Sequence, residues 1–184
     1  EAAVHALNAG ARDAVDGWLD RLDRGEKTSA IRALGAQCEH DAVADFLVGV
    51  RDDKGEAFWT DRWYRGLADC RTPAIQTLLS ETLTDPSLSE RDNRSRFFGL
   101  LEVYARNLGN DAIESLERLA TTLSDEQERA LVVRAYGDAV QVGGSGSVSA
   151  ADPKVATESL LRVAPALRPS NLPTLRETLV AIGS

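Results

Sequence analysis

Residues 11–25 read ARDAVDGWLDRLDRG, and the spacing of their apolar side chains decides the fold class. Ala11, Val15, Trp18, Leu19 and Leu22 recur every three or four positions, with Asp13, Asp16, Asp20 and Asp23 between them. At ~100° per residue the two sets fall on opposite sides of an α-helix, so the segment predicts an amphipathic surface helix. Four Asp side chains resemble a cation site, but this spacing turns each of them to water. A solvated acidic face is the expectation.

The same period runs through nearly the whole chain, and no segment alternates as a strand would. Helices are predicted near 11–24, 28–38, 40–51, 56–70, 73–84, 92–108, 111–122, 125–142, 153–167 and 171–182, with a partial turn at 2–8. Thr72-Pro73 and Asp152-Pro153 each put a capping side chain before a Pro suited to the first helical position. Ser124 with Gln127 reads as a capping box. Gly10, Gly25, Gly55 and Gly109 stand where periodic runs end, as helix C-termini prefer. The segment GGSGSVSA at 143–150 is flexible by composition and reads as a surface loop, with a hinge as the alternative.

A chain of 184 residues can bury a sizeable core as one domain or one array of repeats. Its net charge of −8 repels phosphate backbones and anionic membranes, so neither nucleic acid nor membrane is the expected partner. No apolar run approaches the roughly 18–20 residues that span a bilayer. The chain has no Met and starts at Glu1, so its natural start, and any targeting segment there, is expected to have been removed. The sequence leaves the compartment open and favours a cytoplasmic setting only slightly. Eighteen Arg against three Lys suit ion-pair networks and protein interfaces, and biased genome composition accounts for the same ratio.

A repeat is also legible. AIRALGA from Ala30, AIQTLLSETL from Ala74, AIESLERLA from Ala112 and VATESLLRVA from Val155 share a small or β-branched start followed by Leu at helical spacing. Ile31, Ile75, Ile113 and Val155 thus recur about every 40 residues, two helices per unit. DPKVATESLLRVA resembles the Asp-Pro-x-Val helix start common in HEAT-like repeats, although Ala156 stands where an Arg is usual; Asp85-Pro86 resembles it in part. The chain is similar in architecture to α-solenoids of the HEAT and armadillo type. That resemblance implies about ten helices in antiparallel pairs stacked as one repeat domain over 1–184, offering an extended surface to proteins or peptides. An irregular helical bundle is the alternative.

For chemistry, FWTDRWYR at 58–65 is the densest segment, holding four of the ten aromatic residues. On a continuous helix Trp59, Trp63, Leu67 and Cys70 share a buried stripe, with Gly66 allowing close approach. Phe58 then falls among the charges beside Arg62 and Arg65, a candidate contact patch, since exposed aromatic and Arg residues carry binding energy at interfaces. Arg94 and Arg96 in RDNRSR form a second, weaker candidate set that could equally pair with the chain's own acids. Cys38 and Cys70 each close a helix. A disulfide between them is geometrically open, while free thiols are the default in a cytosolic protein. CEHD at 38–41 offers too few convergent ligands for zinc, so no metal or cofactor is expected. Cys38 and His40 lie two apart and do not face each other as nucleophile and base.

These readings favour a non-catalytic module that binds a protein or peptide through Phe58, Arg62, Arg65, Arg94 and Arg96. One alternative is a helical-repeat enzyme or ligand-binding domain using Trp59, Asp61 and Trp63. Another is a structural spacer or oligomerisation domain.

Overall fold

A computed structural model describes residues 1–55, 58, 63–83, 94–140 and 150–183, with 94 and 95 described by backbone alone. Among the described residues the protein is all-helical, without a strand. It forms two compact units, Glu1–Val103 and Tyr104–Ser184.

The first unit contains α1 (Ala2–Asn8), α2 (Arg12–Leu19), α3 (Arg24–Gly35), α4 (Asp41–Lys54), α5 (Arg65–Ala68), α6 (Pro73–Leu83) and the start of α7 (Arg94–Leu108). The helix predicted over 11–24 stops at Leu19, because Asp23 opens a new one. The Asp23 side chain accepts from the backbone N–H groups of Gly25 and Glu26, and Glu26 reaches back to the Asp23 N–H. This capping box satisfies the free donors of the first turn. Gly25 therefore begins α3 rather than ending α2. The partial turn at 2–8 is a complete helix. At Gly55 a φ of 51° closes α4 in a conformation that a Cβ would strain.

α1 packs on α2 and α4, and α3 packs on α2, α4 and α5. Leu19, Ile31, Val43, Phe46, Leu47, Leu67, Ile75 and Leu79 are buried at the centre of this unit. Each such side chain contributes roughly 1.5–3 kcal/mol by leaving water. α3 and α5 cross backbone against backbone. A Cβ built on Gly35 would stand 2.0 Å from the Gly66 carbonyl oxygen, so the two backbones touch with no side chain between them.

The second unit contains the end of α7, α8 (Asn110–Thr122), α9 (Glu126–Val140), α10 (Pro153–Val163), two 3₁₀ turns (Ala164–Ala166 and Pro169–Asn171) and α11 (Leu172–Gly183). α9 packs on α8, α10 and α11, and α10 packs on α8 and α11. Leu116, Val132, Val133, Tyr136, Leu160 and Val163 fill the space between them. The Asp152-Pro153 start forms as predicted, with the Asp152 carboxylate accepting from the Lys154 N–H. The cap of α9 is Asp125 rather than Ser124, since the Asp125 carboxylate takes the Gln127 and Glu128 N–H groups. The helix predicted to run to 167 ends at Val163, where the turn holding Pro165 follows. Apart from Ala150, the predicted loop at 143–150 lies outside the described residues, as does Asp85-Pro86.

Candidate functional site

Contrary to expectation, Phe58 does not stand on an exposed contact patch. Phe58 is 0% exposed, in the core rather than among charges. The expectation counted 100° per residue back from Trp63 along an unbroken helix. However, the Phe58 carbonyl accepts from the N–H of Tyr64, six residues on, a spacing that no α-helix closes. A phase counted from Trp63 therefore does not carry back to Phe58, which is buried. Arg65 is half-buried and paired with Glu102 at 3.7 Å, beside the Tyr64 hydroxyl, which donates to the same carboxylate at 3.4 Å. Arg96 is half-buried and has partners of its own within the protein. Trp59, Asp61, Arg62 and the Arg94 side chain lie outside the described residues.

Trp63 is buried as expected, but what covers it was not legible. Lys27 from α3 and Lys54 from α4 place their ammonium groups 5.0 and 4.6 Å from its ring centroid. Lys54 pairs with Asp16 at 3.1 Å and Asp20 at 3.4 Å, and Lys27 pairs with Asp20 at 2.7 Å. Two of the four Asp residues read as a solvated face thus neutralise two lysines packed on an indole, and a third caps α3. The hydrogen bond from Lys27 holds the Asp20 carboxyl below its usual range, with help from Lys54. As the wall of a ligand site, Trp63 is closed off by this cluster.

Cys38 and Cys70 are joined in a disulfide, with Cα atoms 5.2 Å apart. The free-thiol expectation is overturned because the Gly35–Gly66 crossing brings the ends of α3 and α5 together one turn earlier. Arg32 pairs with Asp69 at 3.3 Å along the same seam. With its sulfur committed, Cys38 is no thiolate ligand for the CEHD segment. Among the described residues no group of three or more His, Cys, Asp or Glu converges as a metal site would.

In the second unit, Ser159 donates to the Glu117 carboxylate at 2.6 Å, and Arg162 pairs with the same group at 2.8 Å. Tyr136 lies 3.0 Å from the Ser159 hydroxyl. Hydrogen bonds from Arg162 and Ser159 lower the Glu117 pKa, and burial pushes the Tyr136 phenol up to about 12. Ser159 is fully buried, so no substrate reaches it. The cluster ties α8, α9 and α10 together. Glu126 likewise binds Arg168 and Ser170, which fixes the second 3₁₀ turn to the start of α9.

The surface feature that sequence reasoning missed is an apolar groove of about 510 Å³ among α1, α2 and α3. Alanines from all three helices line it, Ala3 and Ala6 from α1, Ala14 from α2, Ala30 and Ala33 from α3, together with the buried Val4, Val15 and Leu34. Trp18 stands at its side and is 37% exposed, although the period placed it in the buried stripe. An alanine surface ends at Cβ, so three helices packed through their larger residues leave a trough where the alanines meet. The signal was present as Ala at i, i+3 on α1 and on α3. A second groove lies between α4 and α6, lined by Val48, Leu78 and Asp45 among others.

No known family, curated protein or solved structure matches this chain. Among the described residues no helix is long and apolar enough to cross a membrane.

Proposed function

We propose that this chain is a non-catalytic binding module on a HEAT-like helical scaffold, and that it holds an apolar segment of a protein or peptide. The observation that carries this reading is the apolar, alanine-lined groove with a half-exposed indole at its side. Alanine offers depth without polar groups to desolvate, so the occupant it fits is an amphipathic helix presenting Leu or Phe at i, i+3/i+4 and i+7. Trp18 supplies the large rigid contact that often dominates such interfaces. The role assigned from sequence to Phe58 passes to Trp18.

Peptide selection from a random displayed library tests the proposal. Selected peptides are expected to carry that apolar stripe. Ala33→Arg, which fills the groove from an exposed position, is expected to weaken them about tenfold or more. Peptides that bind the Ala33→Arg variant as well as wild type would move the site elsewhere, and a selection that enriches nothing would overturn the module.

A further inference from the structure

The disulfide sits at a place the fold depends on. α5 is one turn long, and one isolated turn does not hold itself together in water. What keeps it in place is the seam with α3: Gly66 against Gly35, Asp69 on Arg32, and Cys70 bonded to Cys38. Cys38 is 4% and Cys70 0% exposed. Disulfides that act as switches are exposed or strained so that an attacking thiolate can reach a sulfur; this one is shut inside the unit whose helices it joins. The chain's two cysteines are both used, leaving no free thiol to exchange with it.

We infer that the Cys38–Cys70 bond is a permanent structural clasp installed during folding, and that the protein matures and works in an oxidising compartment outside the reducing cytosol. In the cytosol, glutathione and thioredoxin systems keep such thiols reduced, whereas secreted and periplasmic chains retain them as disulfides. The oxidant required is a protein disulfide of the thiol–disulfide oxidase class. A thiolate of this chain attacks the donor disulfide and releases one donor thiolate. The second thiolate of this chain then attacks its own sulfur in the mixed disulfide and releases the other. Two protons leave this chain, two electrons pass to the donor, and one S–S bond has moved. Because burial closes the site once α5 docks, this exchange precedes completion of the α3–α5 seam.

The experiment reads the thiols directly. Source cells and medium are acid-quenched, free thiols are blocked with a maleimide, and the full-length protein is then reduced and labelled with a heavier maleimide. Peptide mapping of the mature protein is expected to find the heavy label on both Cys38 and Cys70 and the light label on neither. Light label on Cys38 and Cys70 in the mature protein would overturn the inference. A second arm exposes the folded, oxidised chain to dithiothreitol, with and without urea. Reduction is expected to be at least about tenfold slower without urea, since it waits for local opening. Equal rates would make the bond an accessible, exchangeable one and refute the clasp.

Discussion

Gly35→Ala is the substitution whose effect the structure sets most directly. A Cβ at this position would lie 2.0 Å from the Gly66 carbonyl oxygen and 2.9 Å from its carbonyl carbon, and neither is the end of a flexible side chain. Ordinary contact needs about 3.4 Å, so α3 and α5 would have to separate by more than an ångström. They are not free to do so, because the Cys38–Cys70 bond and the Arg32–Asp69 pair fasten the same seam. Overpacking of this kind costs about 1–3 kcal/mol and more against backbone, while replacing a helical Gly returns about 0.5–1 kcal/mol. A net loss of about 2–3 kcal/mol is expected. At Gly66 the nearest atoms are Ile31 Cγ2 at 2.7 Å and the Ile31 carbonyl oxygen at 3.1 Å, a milder overlap than 2.0 Å against backbone, so Gly66→Ala should cost less. At Gly17, in α2, nothing lies within 4 Å, so Gly17→Ala should stabilise by about 0.5–1 kcal/mol. Urea denaturation followed by far-ultraviolet circular dichroism gives all three values from one protocol. A Gly35→Ala chain as stable as Gly17→Ala would refute the backbone crossing.

Three further expectations concern the clasp and the charged clusters. Cys38→Ala with Cys70→Ala, which opens a loop of sequence separation 32, should lower stability by about 3–4 kcal/mol in urea titration; a loss below about 1 kcal/mol would show that the bond constrains little. Because the Glu117 carboxyl is lowered from its ordinary 4.5, its contribution is complete above that value and is lost as pH falls through the lower folded value. The Tm difference between wild type and Glu117→Gln should therefore be constant above about pH 5 and shrink towards pH 3, and a gap that widens on acidification would reverse the assignment. Lys54→Met, which keeps an apolar stem over Trp63 but loses the pairs to Asp16 and Asp20, should cost about 1 kcal/mol, and no change in chemical denaturation would mean those pairs contribute nothing.

The all-helical class was legible because amphipathic period needs only local sequence. The caps at Thr72 and Asp152 were legible for the same reason. What failed did so where a local rule met a non-local contact. Phe58 was placed by extrapolating a helix back from Trp63, whereas its carbonyl accepts from the Tyr64 N–H six residues on. Asp16 and Asp20 were assigned to water because nothing in their own helix opposes them; their partners arrive from α3 and α4. The disulfide was visible as an option but not as an outcome. Two helix ends can be near each other in many stacks, and only the Gly35–Gly66 contact makes them meet in this one.

Small residues do opposite things in the two halves of α3's surface, and the difference explains why one half is closed and the other open. At Gly35 the absence of a Cβ is used by a neighbouring backbone, which moves in until the two chains touch and a disulfide can span them. At Ala30 and Ala33 the side chains end at Cβ, and among the described residues no helix closes over them, so the space remains as a groove. A fold that needed only to be stable would fill that trough with Leu from α1 or α2, each worth roughly 1.5–3 kcal/mol when buried. Ala3→Leu together with Ala14→Leu should accordingly raise stability while abolishing peptide binding. That opposition between stability and binding separates a surface kept open for a partner from one that is merely underpacked.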